Sequence, residues 1–238
     1  MLFRSLWKLK TRSGHDVEYC VKVFLPLGSL WAKVNAMASP FPYVRANRLE
    51  ERFMVDIIGR AELAARNMPV PKLVDFDVIE RIMITEHLPG RVVDDVLKDI
   101  QTRGYLDSDD VRMIAECGKG LARIHAEGFS LIDTQPVNCI WLPLRNQVYF
   151  LDLEFCTRRN YQIWDIAFFQ TSLLIRLSGE LAGQAKSIFL ENYQNERRVN
   201  LPEIEKMEKK LERYTPVFLT ILDLRQFTPE ELLSELLR

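Results

Sequence analysis

Residues 131–154 read LIDTQPVNCIWLPLRNQVYFLDLE and contain the most informative pattern in this sequence. Two short β-type runs separated by a turn predict a hairpin. In the loop before the hairpin, Asp133 and Asn138 lie five residues apart, and Asp152 ends the second run fourteen residues after Asn138. The pattern therefore predicts that a carboxylate at the end of the hairpin lies beside a polar loop.

These three residues are of the types that phosphoryl transfer requires. An aspartate such as Asp133 can accept the proton of an attacking hydroxyl, and an asparagine such as Asn138 can ligate a magnesium ion that neutralises phosphate charge. Asp152 would supply a second oxygen ligand of the kind that magnesium prefers. The spacing alone is weak, because short motifs match by chance. Asp133 and Asn138 could equally make turns with their own backbone, and Asp152 could cap a strand.

The residues around the hairpin predict a mainly helical C-terminal part. A helix over 108–127 has Ile114, Cys117, Leu121 and Ile124 on one face, with Ser108 as its expected N-cap and Gly128 ending it. The other expected helices are 92–103, 161–177, 180–195, 202–213 and 228–237, and the strands of the hairpin are expected at 138–142 and 147–152.

The N-terminal part is predicted to be rich in β-strands. Strands are expected at 3–11, 17–24, 72–77 and 80–86, with an irregular connection over 25–45 and a helix over 47–66. This helix must end before Met68-Pro-Val-Pro71, because proline disfavours helix both at its own position and before it. The chain is therefore predicted to be α+β, with a small part at 1–88, a break at Pro89-Gly90 and a helical part at 89–238.

Composition narrows the class of protein. Apolar residues make up 47% of the chain, which is enough to form a core, and the formal net charge of −1 does not favour binding to nucleic acid. No long apolar run predicts a transmembrane helix, and the N-terminus lacks the apolar centre of a signal peptide. The four cysteines form no C-x-x-C pair, so reduced thiols in a cytoplasmic protein are expected.

Several motifs occur in one order and together resemble the protein-kinase-like superfamily. They are Tyr19-Cys-Val-Lys22-Val, Ile84-Thr-Glu86-His-Leu88-Pro-Gly90, the Asp133/Asn138 loop, Asp152-Leu-Glu154 and Trp164-Asp165. The sequence is most similar to the small atypical branch, which includes the RIO-type kinases, the kinase of the KEOPS complex and bacterial lipopolysaccharide-core sugar kinases. The resemblance covers roughly residues 4–195 and implies a two-lobed fold with a reduced β-rich N-lobe and a helical C-lobe.

The resemblance also implies roles in the C-lobe. Asp133 would be the catalytic base, and Asn138 and Asp152 would hold Mg²⁺. Asp165 would be a structural residue that braces the backbone of the catalytic loop. His125 is expected to be a packed histidine near that loop rather than a base.

In the N-lobe, the resemblance implies an ATP site. Lys22 would hold the α- and β-phosphates, and its helix partner would be Asp56, with Glu51 and Glu62 as alternatives. The backbone of Glu86 and Leu88 would pair with adenine. Thr85 would occupy the gatekeeper position beside them.

Three features depart from the family pattern. Leu131-Ile132 replaces the usual His-Gly or His-Arg before the aspartate, and Glu154 replaces a glycine. One expected strand, rather than two joined by a glycine-rich loop, precedes the strand of Lys22. Without that loop, the phosphates would lack a backbone lid.

The resemblance thus implies an ATP- and magnesium-dependent phosphotransferase that acts on a hydroxyl acceptor. A protein hydroxyl, a sugar and a small metabolite all remain open as acceptor. The departures leave a pseudokinase, a nucleotide-sensing or scaffolding module, as the alternative, and an unrelated α+β interaction domain as a third. The stretch 196–238 has no feature that connects it to chemistry.

Overall fold

The structure, a computed structural model, describes residues 3–10, 16–24 and 49–213. The predicted connection over 25–45 and the predicted helix over 228–237 lie outside these residues. Within them the chain is α+β: a four-stranded antiparallel sheet with one helix, a three-stranded antiparallel sheet, and several further helices.

The N-terminal sheet is built from β1 (Phe3–Lys10), β2 (Asp16–Val23), β3 (Leu73–Asp77) and β4 (Ile82–Glu86) in the order β1-β2-β4-β3. Helix α1 (Leu49–Ala65) lies between β2 and β3 in the sequence. Strand β4 begins two residues later than predicted, because residues 78–81 form a turn in which the Asp77 carboxylate accepts the amides of Ile79 and Glu80.

A small core joins α1 to this sheet. Phe53 and Ile57 of α1 pack with Met83 of β4 and with Phe24 just after β2. The rings of Phe24 and Phe53 meet edge to face with centroids 5.2 Å apart. Each buried side chain of this size contributes about 1.5–3 kcal/mol, so the cluster fixes α1 against β2.

The second sheet contains β5 (Arg91–Val92), β6 (Cys139–Leu142) and β7 (Gln147–Phe150) in that order. β6 and β7 form the predicted hairpin, whereas the sequence predicts the start of a helix where β5 ends. A strand of two residues is too short to show the alternation of apolar and polar residues from which a strand is predicted. A Cβ on Gly90 would lie 2.3 Å from the Trp141 carbonyl oxygen, so only glycine allows β5 to approach β6 this closely.

The larger core is helical. It is formed by α2 (Val93–Arg103), α3 (Ser108–Ala126), α4 (Gln162–Arg176), α5 (Gly179–Glu196) and α6 (Leu201–Glu212) together with the hairpin. Helices α3 and α5 approach closely at Gly118, where a Cβ would lie 2.3 Å from the Phe189 carbonyl oxygen. The predicted bounds of these helices are confirmed to within one residue.

The N-cap of α3 is a correction to the sequence prediction. Asp107, not Ser108, is the cap: its carboxylate accepts the amides of Asp109 and Asp110, while the Asp110 carboxylate accepts the Asp107 amide. The reciprocal pair satisfies more free amides than a serine hydroxyl could. The N-cap is therefore one residue earlier than predicted, and Ser108 is the first residue of the helix. Gly128 follows the helix with a φ of +79°, as expected for a glycine stop.

Among the described residues, none of the helices combines the length and the apolar character that crossing a bilayer requires.

Candidate functional site

Lys22 lies where the two parts of the molecule meet. Its Nζ donates to the carboxylate of Asp56 on α1 and, at 2.9 Å, to Oδ1 of Asp152 after β7. Its ammonium group also lies 4.4 Å from the centroid of the Phe24 ring. Lys22 is 3% exposed, so its two carboxylate partners act in a largely dehydrated environment.

Asp56 is therefore the member of the three alternatives that contacts Lys22. Glu51 is exposed on α1, and Glu62 forms surface ion pairs with Arg66 and Arg158. Asp56 is fully buried and has a second cation partner, Arg60, one turn further along α1. A buried carboxylate of this kind needs paired charges to offset its desolvation.

The loop of Asp133 is joined to the strand that leads to Asp152. The amide nitrogen of the Asn138 side chain donates to the Asp133 carbonyl at 3.3 Å, and the Leu151 amide donates to the Asn138 carbonyl at 2.8 Å. The Gln135 side chain donates to Oδ1 of Asp133 at 2.7 Å, which orients that carboxylate. Asn138 thus contacts both Asp133 and Leu151, the residue directly before Asp152.

The loop before the hairpin contains one residue in a strained backbone conformation. Ile132 has a φ of +70°, which costs a β-branched residue about 1–3 kcal/mol. Asp165 holds it in place by accepting the Leu131 amide at 2.6 Å and the Ile132 amide at 2.8 Å. The indole of Trp164 donates to the Ile132 carbonyl at 2.9 Å, so the start of α4 fixes both sides of the strained residue.

His125 belongs to the same buried network. Its Nε2 lies 3.0 Å from Oδ2 of Asp165, and its Nδ1 lies 2.6 Å from the Tyr193 hydroxyl. The ring is fully buried, and burial raises the pKa of the Tyr193 hydroxyl above its ordinary value. Both ring nitrogens are thus engaged by protein groups, and His125 acts as packing and support for the loop.

Glu154 brings a third carboxyl group to the region of Lys22. It pairs with Arg52 of α1 at 3.3 Å, and both side chains are buried. Burial, reinforced by the charge of Asp152, raises the pKa of Glu154 to about 7, while Lys22 and Arg52 act in the opposite direction. Glu154 can therefore exchange a proton near neutral pH.

A cavity of about 260 Å³ opens beside Lys22. It is lined by the segment Glu86-His87-Leu88, by Thr85 and Met83 of β4, and by Ile140 and Leu151 of the hairpin. Within the described residues the Leu88 amide donates no hydrogen bond, while the Leu88 carbonyl accepts the Gly90 amide at 2.8 Å. The lining combines apolar side chains with the polar side chains of Lys22, Arg60 and Thr85, a combination typical of small-molecule sites.

Two of the residues predicted for the site carry oxygen donors suited to a hard cation. Asn138 and Asp152 supply oxygen atoms, the ligands that Mg²⁺ binds together with phosphate oxygens. Among the described residues there is no cluster of three or more histidine, cysteine, aspartate or glutamate side chains arranged to hold a metal by themselves. A magnesium ion here would depend on a phosphate ligand for part of its coordination.

Three contributors to the site were not found in the sequence. Arg60 could have been found from its spacing, because residues four apart on a helix face the same direction as Asp56. Arg52 meets Glu154 across 102 residues of chain, and no local signal indicates that pair. Gln135 sits inside the predicted loop, but its contact with Asp133 depends on the turn at Pro136–Asn138.

No protein-family model matches this chain. The search of curated proteins likewise finds no match.

Proposed function

We propose that this chain is an ATP- and magnesium-dependent phosphotransferase of protein-kinase-like, two-lobed architecture that acts on a hydroxyl acceptor. One observation carries the proposal. Lys22 pairs with Asp56 and Asp152, which lie 34 and 130 residues away in sequence, and Lys22 also lines a cavity. Active kinases require the ion pair between such a lysine and a helix carboxylate, together with an aspartate that holds Mg²⁺.

In this proposal residues 1–88 bind the nucleotide, and residues 89–238 carry the catalytic loop and the metal ligands. Adenine occupies the cavity against the backbone of Glu86 and Leu88. Lys22 neutralises the α- and β-phosphates, since its ammonium group is already directed to this region by two carboxylates.

Magnesium, held by Asn138 and Asp152, would supply charge neutralisation at the phosphates. Asp133 accepts or orients the proton of the acceptor hydroxyl. Its Oδ1 receives the Gln135 amide, which keeps the carboxylate in one orientation. General-base assistance of this kind contributes about 10²–10⁴ in rate.

The test begins with nucleotide binding. Thermal unfolding is measured with ATP, with and without magnesium, for wild type, Asp152→Ala and the exposed control Asp95→Ala. Binding raises stability by about 2.7 kcal/mol at a hundredfold excess over the dissociation constant. We expect a magnesium-dependent shift in wild type and in Asp95→Ala that is absent in Asp152→Ala.

Turnover is tested with Asp133→Asn. We expect this variant to bind Mg–ATP like wild type and to release ADP about 10²–10⁴ times more slowly in the presence of protein, sugar and small-metabolite acceptors. Binding without any transfer by wild type would favour the nucleotide-sensing module instead. The absence of nucleotide binding under all conditions would refute both and leave an interaction domain.

A further inference from the structure

Arg60 is a buried arginine with an unusual set of partners. Its guanidinium donates through Nε and Nη2 to Oδ1 of Asp56, at 3.2 and 2.6 Å. Nη2 also donates to the Leu151 carbonyl at 2.6 Å, and Nη1 donates to the Pro71 carbonyl at 3.3 Å. Arg60 is 1% exposed, and these contacts use all but one of its N–H groups.

Burying a guanidinium is costly unless its partners compensate for the lost water. The oxygen atoms that compensate for the lost water come from three different segments, and all three segments meet at the candidate site. Asp56 is the helix partner of Lys22, Leu151 directly precedes Asp152, and Pro71 lies in the turn before β3. A single rigid group therefore ties together α1, that turn and the end of the hairpin.

The contacts of Arg60 also fix the orientation of the Asp56 carboxylate. Arg60 occupies Oδ1 of Asp56, and Lys22 binds Oδ2. The carboxylate is thus held in the one orientation that directs Lys22 between Asp56 and Asp152. A lysine at position 60 would keep the charge, but it could not reproduce the planar fork that reaches two carbonyls and a carboxylate together.

We propose that Arg60 is a positioning residue of the phosphotransfer site: it fixes the orientation of Asp56 and the backbone before Asp152, and so sets where Lys22 and the metal ligand stand. This inference rests on the function proposed above. Arg60 also lines the cavity, but all except one of its N–H groups are directed to protein oxygens, so we assign its role to its contacts with Asp56 and Leu151.

The experiment compares wild type with Arg60→Gln, Arg60→Lys and the control Arg66→Gln, a half-exposed arginine just after α1 whose partners are Glu62 and Glu127. ADP release is measured at a temperature where each variant is fully folded. We expect both Arg60 variants to lower kcat by about tenfold or more and to raise the KM for ATP, because Lys22 and Asp152, which would hold the phosphates and the metal, lose their fixed positions. Arg66→Gln should match wild type.

A second readout does not depend on activity. Crystal structures of the nucleotide-free variants should show that the Lys22–Asp56 contact is lost or that the Leu151 carbonyl has moved. If Arg60→Gln cannot be purified folded, Arg60→Lys provides the same readout with the charge retained.

The outcomes separate the two proposals. Lower unfolding temperature with unchanged kcat would reduce Arg60 to a stabilising role and overturn the inference, as would full rescue by lysine. If wild type shows no nucleotide binding or turnover, the proposed function fails. The crystal structures alone then test whether Arg60 positions Lys22 and Leu151. Unchanged Lys22 and Leu151 contacts in Arg60→Gln would refute the positioning role, and displaced contacts would support it.

Discussion

Glu154 is a single residue whose protonation is coupled to folding. Its ordinary pKa is 4.5 and its pKa in the folded protein is raised to about 7, chiefly by burial. Between these two values the folded state holds a proton that the unfolded state has released. The resulting stabilisation is complete below pH 4.5 and is lost as the pH rises through 7, with an upper limit of about 3 kcal/mol.

We therefore predict that Glu154→Gln flattens the pH dependence of unfolding. Glutamine cannot ionise, so the variant should gain stability relative to wild type between pH 5 and pH 8, by up to about 3 kcal/mol. Urea unfolding at several pH values measures this difference. Glu205→Gln, an exposed substitution on α6, is the control and should follow the wild-type curve. A constant offset between Glu154→Gln and wild type across this range would contradict the prediction.

The sequence predicts which residues could take part in chemistry more readily than it predicts the partners that position those residues. Lys22, Asp56 and Asp152 were all candidates, and they meet in the structure. Arg60, which pairs with Asp56, and Arg52, which pairs with Glu154, were not. The difference is physical: a motif records residues at short separations, whereas the pairing of buried charges is decided when distant elements pack.

Among the elements, the start of α4 determines the shape of the loop before the hairpin. Asp165 accepts two consecutive amides of that loop and contacts His125, while Ile132 is held at a positive φ. Hydrogen bonds to a buried charged group contribute about 1.5–3 kcal/mol each. The bonds to Asp165 are thus strong enough to offset the strain at Ile132.

Asp165→Asn should release this loop. The amide side chain removes the charge and turns a donor toward one of the backbone amides, so we expect a loss of about 3 kcal/mol or more in the free energy of unfolding. Hydrogen exchange at the amides of Leu131 and Ile132 should accelerate more than at other sites in the helical core. Asp110→Asn, a buried carboxylate at the start of α3, is the matched control and should leave exchange in the loop unaffected. Equal acceleration in both variants would mean that Asp165 only adds global stability.

The elements themselves were largely predictable, because their hydrophobic periods are long enough to read. The helices from α3 onward and the hairpin lie close to their predicted bounds. The failures were short or depended on geometry: β5 has two residues, and the start of α3 depends on a reciprocal cap between Asp107 and Asp110. Such features depend on contacts between particular residues, which the periodicity of hydrophobic residues in the sequence does not record.

On the scale of the whole molecule, the packing of two cores places the site. One core holds α1 against the N-terminal sheet, and the other holds the helices and the hairpin. The ion pairs Lys22–Asp152 and Arg52–Glu154 link them, as does the hydrogen bond from Arg60 to the Leu151 carbonyl. The chain passes from one to the other through the segment from Glu86 to Gly90. The change from a strand-rich to a helix-rich pattern could be read from the sequence, but the relative placement of the two cores depends on buried pairs up to 130 residues apart in sequence.

Gly90 tests this placement because it lies where the chain passes from one part to the other. A Cβ at this position would lie 2.3 Å from the Trp141 carbonyl oxygen and 2.5 Å from Cγ2 of Ile140. Gly90→Ala must therefore push β5 from β6, at a cost of about 1–3 kcal/mol. Since Gly90 donates to the Leu88 carbonyl and both line the cavity, the shift should also weaken ATP binding if the proposed function holds.

Gly183→Ala provides a control of opposite sign. Gly183 lies within α5, and among the described residues no neighbouring atom lies within 4 Å of the place that a Cβ would take, so alanine should stabilise the helix by about 0.5–1 kcal/mol. Chemical denaturation of both variants measures the two effects in one protein. Because both substitutions add the same methyl group, a loss at position 90 with a gain at position 183 would locate the cost in the β5–β6 approach. A stability gain in Gly90→Ala would show that the two parts can separate there freely, and the placement of the cavity wall by this contact would have to be abandoned.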